Sequence, residues 1–170
     1  AHDFLNVGSM GHASSVALGI ALEKTERKVV ALDGDSACMM HMGAMTMVSK
    51  LDAPNFMHVV LNNGSHESVG GQPSAGHKVD FTKIAEACDY ATVGHPVTTE
   101  VELVEALEVL RDCGKASFID CRIHKGLSRK LPPVIFDHRE VIDALIDDLN
   151  ESRIIMDNKT KFRINRKKGI

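Results

Sequence analysis

VVALDGDSACMMHMG, residues 29–43, and HVVLNNGSHESVGGQP, residues 58–73, decide how this chain folds. Two apolar, β-branched runs, Val29–Leu32 and His58–Leu61, stop abruptly in small polar residues, Gly34-Asp35-Ser36 and Asn62-Asn63-Gly64. Short apolar runs closed by turn residues read as strands. The Met- and Ala-rich interval between them predicts a helix, about Cys38–Lys50, broken by Ala53-Pro54-Asn55. The stretch is therefore expected to form a strand–helix–strand unit with oxygen-bearing side chains at the exit of both strands.

Outward from this unit, the same alternation continues. Phe4, Leu5 and Val7 predict a short strand, His2–Val7, running into Gly8-Ser9-Met10-Gly11. A helix over Ala13–Leu22 follows, rich in small residues that let it lie close to a sheet. The third strand is Phe56–Leu61, apolar throughout, as suits a parallel sheet buried on both faces. Asn62–Val79 is glycine-rich and aperiodic, a long loop. Asp80 caps a helix over Phe81–Cys88, and Tyr90–Val93 reads as a strand. Thr99 with Glu102 makes a capping box for a helix ending near Cys113-Gly114. Ala116–Ile123 is the last strand, a Pro-Pro connection spans Leu131–Phe136, and an amphipathic helix runs over Asp137–Leu149 with Val141, Ile142, Leu145, Ile146 and Leu149 on one face. The fold class is α/β, a mainly parallel sheet flanked by helices on both faces. One domain, 1–150, is expected, followed by a basic tail, 151–170, with Lys159, Lys161, Arg163, Arg166, Lys167 and Lys168.

Composition narrows the function classes. With 44% hydrophobic and 25% charged residues in 170, the chain fits a globular domain. A formal net charge of −3 argues against general nucleic-acid binding, which needs a basic face. No apolar run approaches the ~20 residues that span a bilayer. Cys38, Cys88, Cys113 and Cys121 are scattered and read as reduced thiols, and no signal peptide opens the chain, so a cytoplasmic protein is expected. The nine histidines show no zinc-binding spacing.

In a parallel sheet, ligands gather outside the carboxyl ends of the strands. Asp35 and Asn62 or Asn63, on neighbouring strands, would stand about one strand spacing of ~4.8 Å apart. A carboxylate, a side-chain amide and a backbone carbonyl make a hard oxygen site suited to Mg²⁺, which keeps part of its shell for phosphate oxygens. Ser36 and Ala37 open the next helix, whose free N–H groups favour an anion. Each turn alone would be ordinary; the pair at this spacing, each at the end of a buried strand, is what points to a site.

Gly34-Asp35-Ser36, 25 further residues and Asn62-Asn63 resemble the thiamine-diphosphate motif, written GDG, roughly two dozen residues, NN. VGSMGHASSVALGIAL, LDGD with ACMMHMG, and VLNNGSHESVGGQP resemble the phosphonopyruvate decarboxylase family among thiamine-diphosphate-dependent 2-oxo acid decarboxylases. The sulfopyruvate decarboxylase family shares part of the last segment; its members tend to carry Tyr in place of His66 and Thr in place of Val69, which leans the wording toward the phosphonate. The likeness runs from about Phe4 to Phe81.

The resemblance implies thiamine diphosphate and Mg²⁺ as cofactors. Asp35 and Asn63 would be side-chain ligands of the metal, with Asn62 the alternative to Asn63 and Ser65 giving a backbone carbonyl. Gly34, Ser36 and Ala37 would border the diphosphate. Gly8, Ser9 and Met10 would border the rest of the cofactor, with Met10 the bulky residue beneath it. His66, Glu67 and Ser68 would lie in the covering loop, His66 and Glu67 as the catalytic candidates, and His66 or His12 could meet the substrate's anionic group. The reaction implied is decarboxylation of 3-phosphonopyruvate to phosphonoacetaldehyde and CO₂. The family's activating glutamate comes from a pyrimidine-binding domain, which these residues do not contain, so a partner domain or α subunit in a hetero-oligomer is implied. The motif's third residue is Ser36 rather than Gly, a departure the wider family tolerates.

His41 and the methionines Met39, Met40, Met42, Met45 and Met47 read as structural gap-fillers. Rival readings are weaker. Ser36 as an esterase nucleophile would need a late Asp-x-x-His, and Asp120 with His124 is one residue too long. Gly8-x-x-Gly11 does not supply a dinucleotide-binding G-x-G-x-x-G. A cofactor domain kept only as a non-catalytic assembly partner is the remaining alternative.

Overall fold

The computed structural model describes residues 3–6, 8–126 and 137–157, the last seven as backbone. Two units divide the chain, Asn6–Arg129 and a smaller one of Ala1–Leu5 with Lys130–Ile170.

The larger unit is built on a three-stranded parallel sheet in the order β1-β2-β5, where β1 is Val29–Gly34, β2 is Phe56–Asn62 and β5 is Ser117–Arg122. Successive strand side chains point to opposite faces, and each face has its own core. Ala31, Phe56, Val60 and Phe118 pack with Leu18 and Ala21 of α1 (Ala13–Glu23), Cys38 of α2 (Asp35–Met40), and Phe81 and Ala85 of α3 (Phe81–Ala87). Met57, Val59, Ile119 and Cys121 pack with Ala106 and Leu110 of α4 (Glu100–Arg111). This is the expected α/β sheet covered on both faces. Its edge strand is the exception: Val30 and Leu32 of β1 stand 47% and 62% exposed.

Several boundaries differ from the sequence reading. Residues 3–6 form no strand, and His2 and Val7 lie outside the described residues. The helix after β1 begins at Asp35 itself, with Gly34 in extended geometry before it, and after Met40 it tightens into a 3-10 segment, Met42–Ser49. The hydroxyls of Thr46 and Ser49 donate to the carbonyls of Gly43 and Thr46, both at 2.7 Å, engaging acceptors a regular α-helix would use. Of the methionines, Met45 is buried and Met39 and Met42 pack on the core, whereas Met40 and Met47 are exposed rather than gap-filling. Tyr90–Val93 reduces to an isolated bridge, Ala91 to Ser117. The long loop contains a small antiparallel hairpin, β3 (Ser65–His66) with β4 (Gln72–Pro73).

Asp80 caps α3 by accepting from the Lys83 amide, and Thr99 with Glu102 closes the capping box of α4. Asn55, which sequence marked only as a helix breaker, donates to the carbonyls of Ala21, Lys24 and Arg27 at 2.8–3.0 Å and seals the end of α1 onto the sheet.

In the smaller unit, α5 spans His138–Asp157, eight residues past the expected end, with Asp137 capping its first turn by accepting from the Arg139 and Glu140 amides. Val141, Leu145 and Leu149 share a half-buried stripe, while Ile142 and Ile146 are more exposed. The Pro-Pro connection and all but the first seven residues of the expected basic tail lie outside the described residues.

Candidate functional site

The register of β1 against β2 pairs Gly34 with Leu61, so the chain leaves both strands at one level. Asp35 and Asn62 therefore emerge side by side, 2% and 0% exposed. Ser36 and Ala37 are also buried, in the first turn of α2. Ser36 Oγ has no hydrogen-bond partner among the described residues. A buried hydroxyl without a partner is costly, so its presence here marks a place where a ligand oxygen would satisfy it.

The two asparagines are used differently. Asn62 Nδ2 donates to the Gly76 carbonyl at 2.9 Å and to Asp120 Oδ1 at 3.0 Å, and its Oδ1 accepts from the Gly64 amide at 3.3 Å. Asn63 is half-buried; its Oδ1 accepts from the Ser65 amide at 3.0 Å and its Nδ2 donates to Glu67 Oε2 at 2.9 Å. Ser65 is buried at the start of β3, His66 and Glu67 are half-buried beside it, and Ser68 is exposed.

The Gly8–Gly11 turn is docked onto α2. Gly8, Ser9 and Gly11 all have positive φ, +79°, +44° and +92°. At Gly11 the constraint is also steric, because a Cβ would collide with the Ala37 carbonyl and the His41 ring. Met10 is 38% exposed on this turn, with Gly8 and Ser9 exposed beside it. His41, expected as a structural residue, is exposed, and its ring stands 3.9 Å from that of His12.

Negative charge is concentrated at this end of the sheet. Asp33, Asp35 and Asp120 are all buried. Burial, then these three carboxylates, pushes the Cys38 thiol up to about 12. Asp120 itself is raised by burial, against the opposing bonds from Asn62 and Arg122. Beneath the exit, Asp33 Oδ2 lies 3.4 Å from His58 Nε2, both side chains buried. The Asp35 carboxylate, with amide and carbonyl oxygens of the Asn62–Ser65 turn beside it, is the kind of hard oxygen set a divalent cation takes. An unpartnered serine at a helix start suits a phosphate oxygen. The residues present thus fit a metal–diphosphate group. By contrast, among the described residues Ser36 Oγ meets no base of the kind an esterase needs, and Asp120 is engaged by Asn62 and Arg122.

Sequence reasoning missed Ser74, Gly76 and Asp120 as members of this cluster. Ser74 Oγ donates to Asp35 Oδ2, and a Cβ on Gly76 would collide with Asp35 and Asn62. Asp120 sits near the exit of β5, and the rule that pointed to the exits of β1 and β2 applies there equally.

Such an arrangement defines an α/β protein with its polar site at the carboxyl ends of a parallel sheet. The chain belongs to the thiamine pyrophosphate enzyme family: the model of its C-terminal TPP binding domain matches residues 2–121. Among curated relatives, phosphonopyruvate decarboxylase of Streptomyces viridochromogenes is 42% identical over 104 residues, 61% of this chain and 26% of that protein. Sulfopyruvate decarboxylase subunit beta of Methanothermobacter thermautotrophicus is 34% identical over 146 residues, 86% of this chain and 75% of that subunit. The chain thus spans about a quarter of the first relative's length and three quarters of the second's. The thiamine diphosphate-dependent 4-hydroxybenzoylformate decarboxylase of Rhodococcus jostii RHA1 shares the fold, with a TM-score of 0.54 at 17% identity over 70% of this chain and 24% of that one.

Proposed function

We propose that this chain is the diphosphate- and Mg²⁺-binding part of a thiamine-diphosphate-dependent decarboxylase acting on 3-phosphonopyruvate. The observation that carries the reading is local: the buried carboxylate Asp35 and the unpartnered hydroxyl of Ser36 are consecutive, facing the Asn62–Ser65 turn of the neighbouring strand. Asp35 and Asn63 would hold the metal by their side chains and Ser65 by its carbonyl. Asn62 is the alternative ligand to Asn63: the Oδ1 atoms of both accept one backbone amide, and Asn62 Nδ2 is engaged by Gly76 and Asp120. Ser36 and the first amides of α2 would hold the diphosphate, and Gly8-Ser9-Met10 would flank the rest of the cofactor.

When bound, the cofactor supplies the electron sink that lets a 2-oxo acid lose CO₂. This chain's residues do the rest of what can be assigned to them. Met10 offers an apolar, half-exposed support. His66 and Glu67 stand beside Asn63 on the covering loop and are the candidates for holding or moving a proton near the substrate, with Glu67 oriented by the Asn63 amide. The activating glutamate would come from a pyrimidine-binding partner, so the chain acts within a hetero-oligomer or a longer polypeptide.

The similarity to a sulfopyruvate decarboxylase β subunit over 86% of this chain favours a second reading, sulfopyruvate as substrate. Two experiments separate the cases. Mg²⁺ with thiamine diphosphate should raise the melting temperature of the chain assembled with its partner, and Asp35→Ala should abolish the rise; no rise in the wild-type assembly overturns the cofactor reading. Turnover of phosphonopyruvate, sulfopyruvate and pyruvate by the same assembly then decides the substrate.

A further inference from the structure

The residues after β4 close on the exits of β1 and β2. The Ser74 amide donates to the Gly64 carbonyl at 3.0 Å, which fixes where this segment leaves the hairpin. Ser74 Oγ then accepts from the Gly76 amide at 3.1 Å and donates to Asp35 Oδ2. A serine hydroxyl has one proton, and the acceptor role toward Gly76 leaves that proton directed at the carboxylate. The Gly76 carbonyl is pinned by Asn62 Nδ2, whose second N–H is anchored on Asp120, itself held by Arg122 Nε at 3.2 Å. Only glycine fits at position 76, since a Cβ there would collide with Asp35 Oδ2 and Asn62 Oδ1. The His77 ring lies against Gly64, where an added Cβ would come within 2.8 Å of it.

We propose that Ser74 is a positioning residue for the metal carboxylate Asp35, carried on a strap, Ser74–His77, that Asn62 and Asp120 fasten to the sheet. The inference rests on the reading of Asp35 as a metal ligand and goes beyond it by assigning the residue that orients the ligand. Asp35 is 2% exposed, so little bulk water is at hand to replace a lost donor. The Ser74 hydroxyl fixes the rotation of the carboxylate and so selects the oxygen lone pairs presented to a cation. Losing a partner of this kind typically costs about 10–100-fold in metal affinity. Asn62 thereby acquires a role of its own, fastening the strap through its Nδ2 to Gly76 and Asp120.

The test uses Mn²⁺ as the probe, titrated into the chain assembled with its pyrimidine-binding partner and with thiamine diphosphate present, free Mn²⁺ being read by its electron paramagnetic resonance signal. Ser74→Ala should raise the Mn²⁺ dissociation constant about 10–100-fold. Ser74→Thr, which keeps the hydroxyl, should stay within a few-fold of wild type. Metal-free melting curves of the three proteins separate orientation from folding. Equal Mn²⁺ affinity in wild type and Ser74→Ala overturns the inference while leaving the metal reading intact. Equal losses in both variants, matched by lower metal-free melting temperatures, also overturn it, because the segment would then act only through stability. Failure of the wild-type assembly to bind Mn²⁺ with thiamine diphosphate overturns the metal reading, and the role of Ser74 with it.

Discussion

Cys38 sits 3% exposed in the first core, two residues past Ser36, and its thiol is governed by what surrounds it. Burial disfavours the thiolate, and the nearby carboxylates of Asp33, Asp120 and Asp35 disfavour it further, so the group is pushed up to about 12. A raised thiol stays protonated at neutral and mildly alkaline pH, and the thiol form is the unreactive one. At pH 8, iodoacetamide should label the exposed Cys113 first and reach Cys38 only on unfolding, as read by peptide mass spectrometry. Rapid labelling of Cys38 in the folded chain would contradict this account. One of those carboxylates, Asp35, is also the side chain proposed above to hold the metal. Asp35, Asn62 and Asn63 were legible as site candidates because turn-forming oxygen residues stood at the ends of apolar runs. Ser74 was not, because its relevance comes from a contact 39 residues away in sequence, whereas Asp120 carried the same strand-exit signal and its bond to Asn62 spans 58 residues.

At the scale of elements, the helix signals written in the sequence are realised where they are local. Glu102 accepts from the backbone and hydroxyl of Thr98 and from the Thr99 amide, and these bonds hold its carboxyl below the usual 4.5. A carboxylate lowered in the folded state adds stability above its unfolded value and loses it as pH falls through the folded one. Glu102→Ala should therefore lower the melting temperature at pH 7 and leave it unchanged near pH 2. A persistent difference at low pH would show that packing, not the cap, is responsible. Thr99→Ala should cost about 1 kcal/mol, the usual worth of an N-cap. Where signals are not local, the sequence misleads. Tyr90–Val93 has strand composition but makes only an isolated bridge. The Met-rich interval departs for a local reason instead: Thr46 and Ser49 hydroxyls engage carbonyls three residues back where the helix gives way to a 3-10 segment.

For the molecule as a whole, β5 feeds both cores of the larger unit through consecutive residues, Phe118 into one and Ile119 into the other. Phe118 is 1% exposed and packs edge-on against His58 at 5.3 Å and Tyr90 at 5.8 Å. Phe118→Ala should cost about 3–5 kcal/mol, measured by urea denaturation, and a loss under about 1 kcal/mol would mean that the two cores are not organised around this strand. The sequence by itself determined the α/β class, the helix caps and the two oxygen-rich strand exits. Those features depend on hydrophobic periodicity and on turn chemistry, both of which act over a few residues. Only the tertiary structure decided that β1 is an edge with one apolar face exposed, that Asn62 and Asn63 have separate partners, and that the strap carrying Ser74 closes on Asp35. Each of those follows from parallel strand pairing and from side chains converging across distant segments, and neither register nor convergence leaves a mark in any single stretch of the chain.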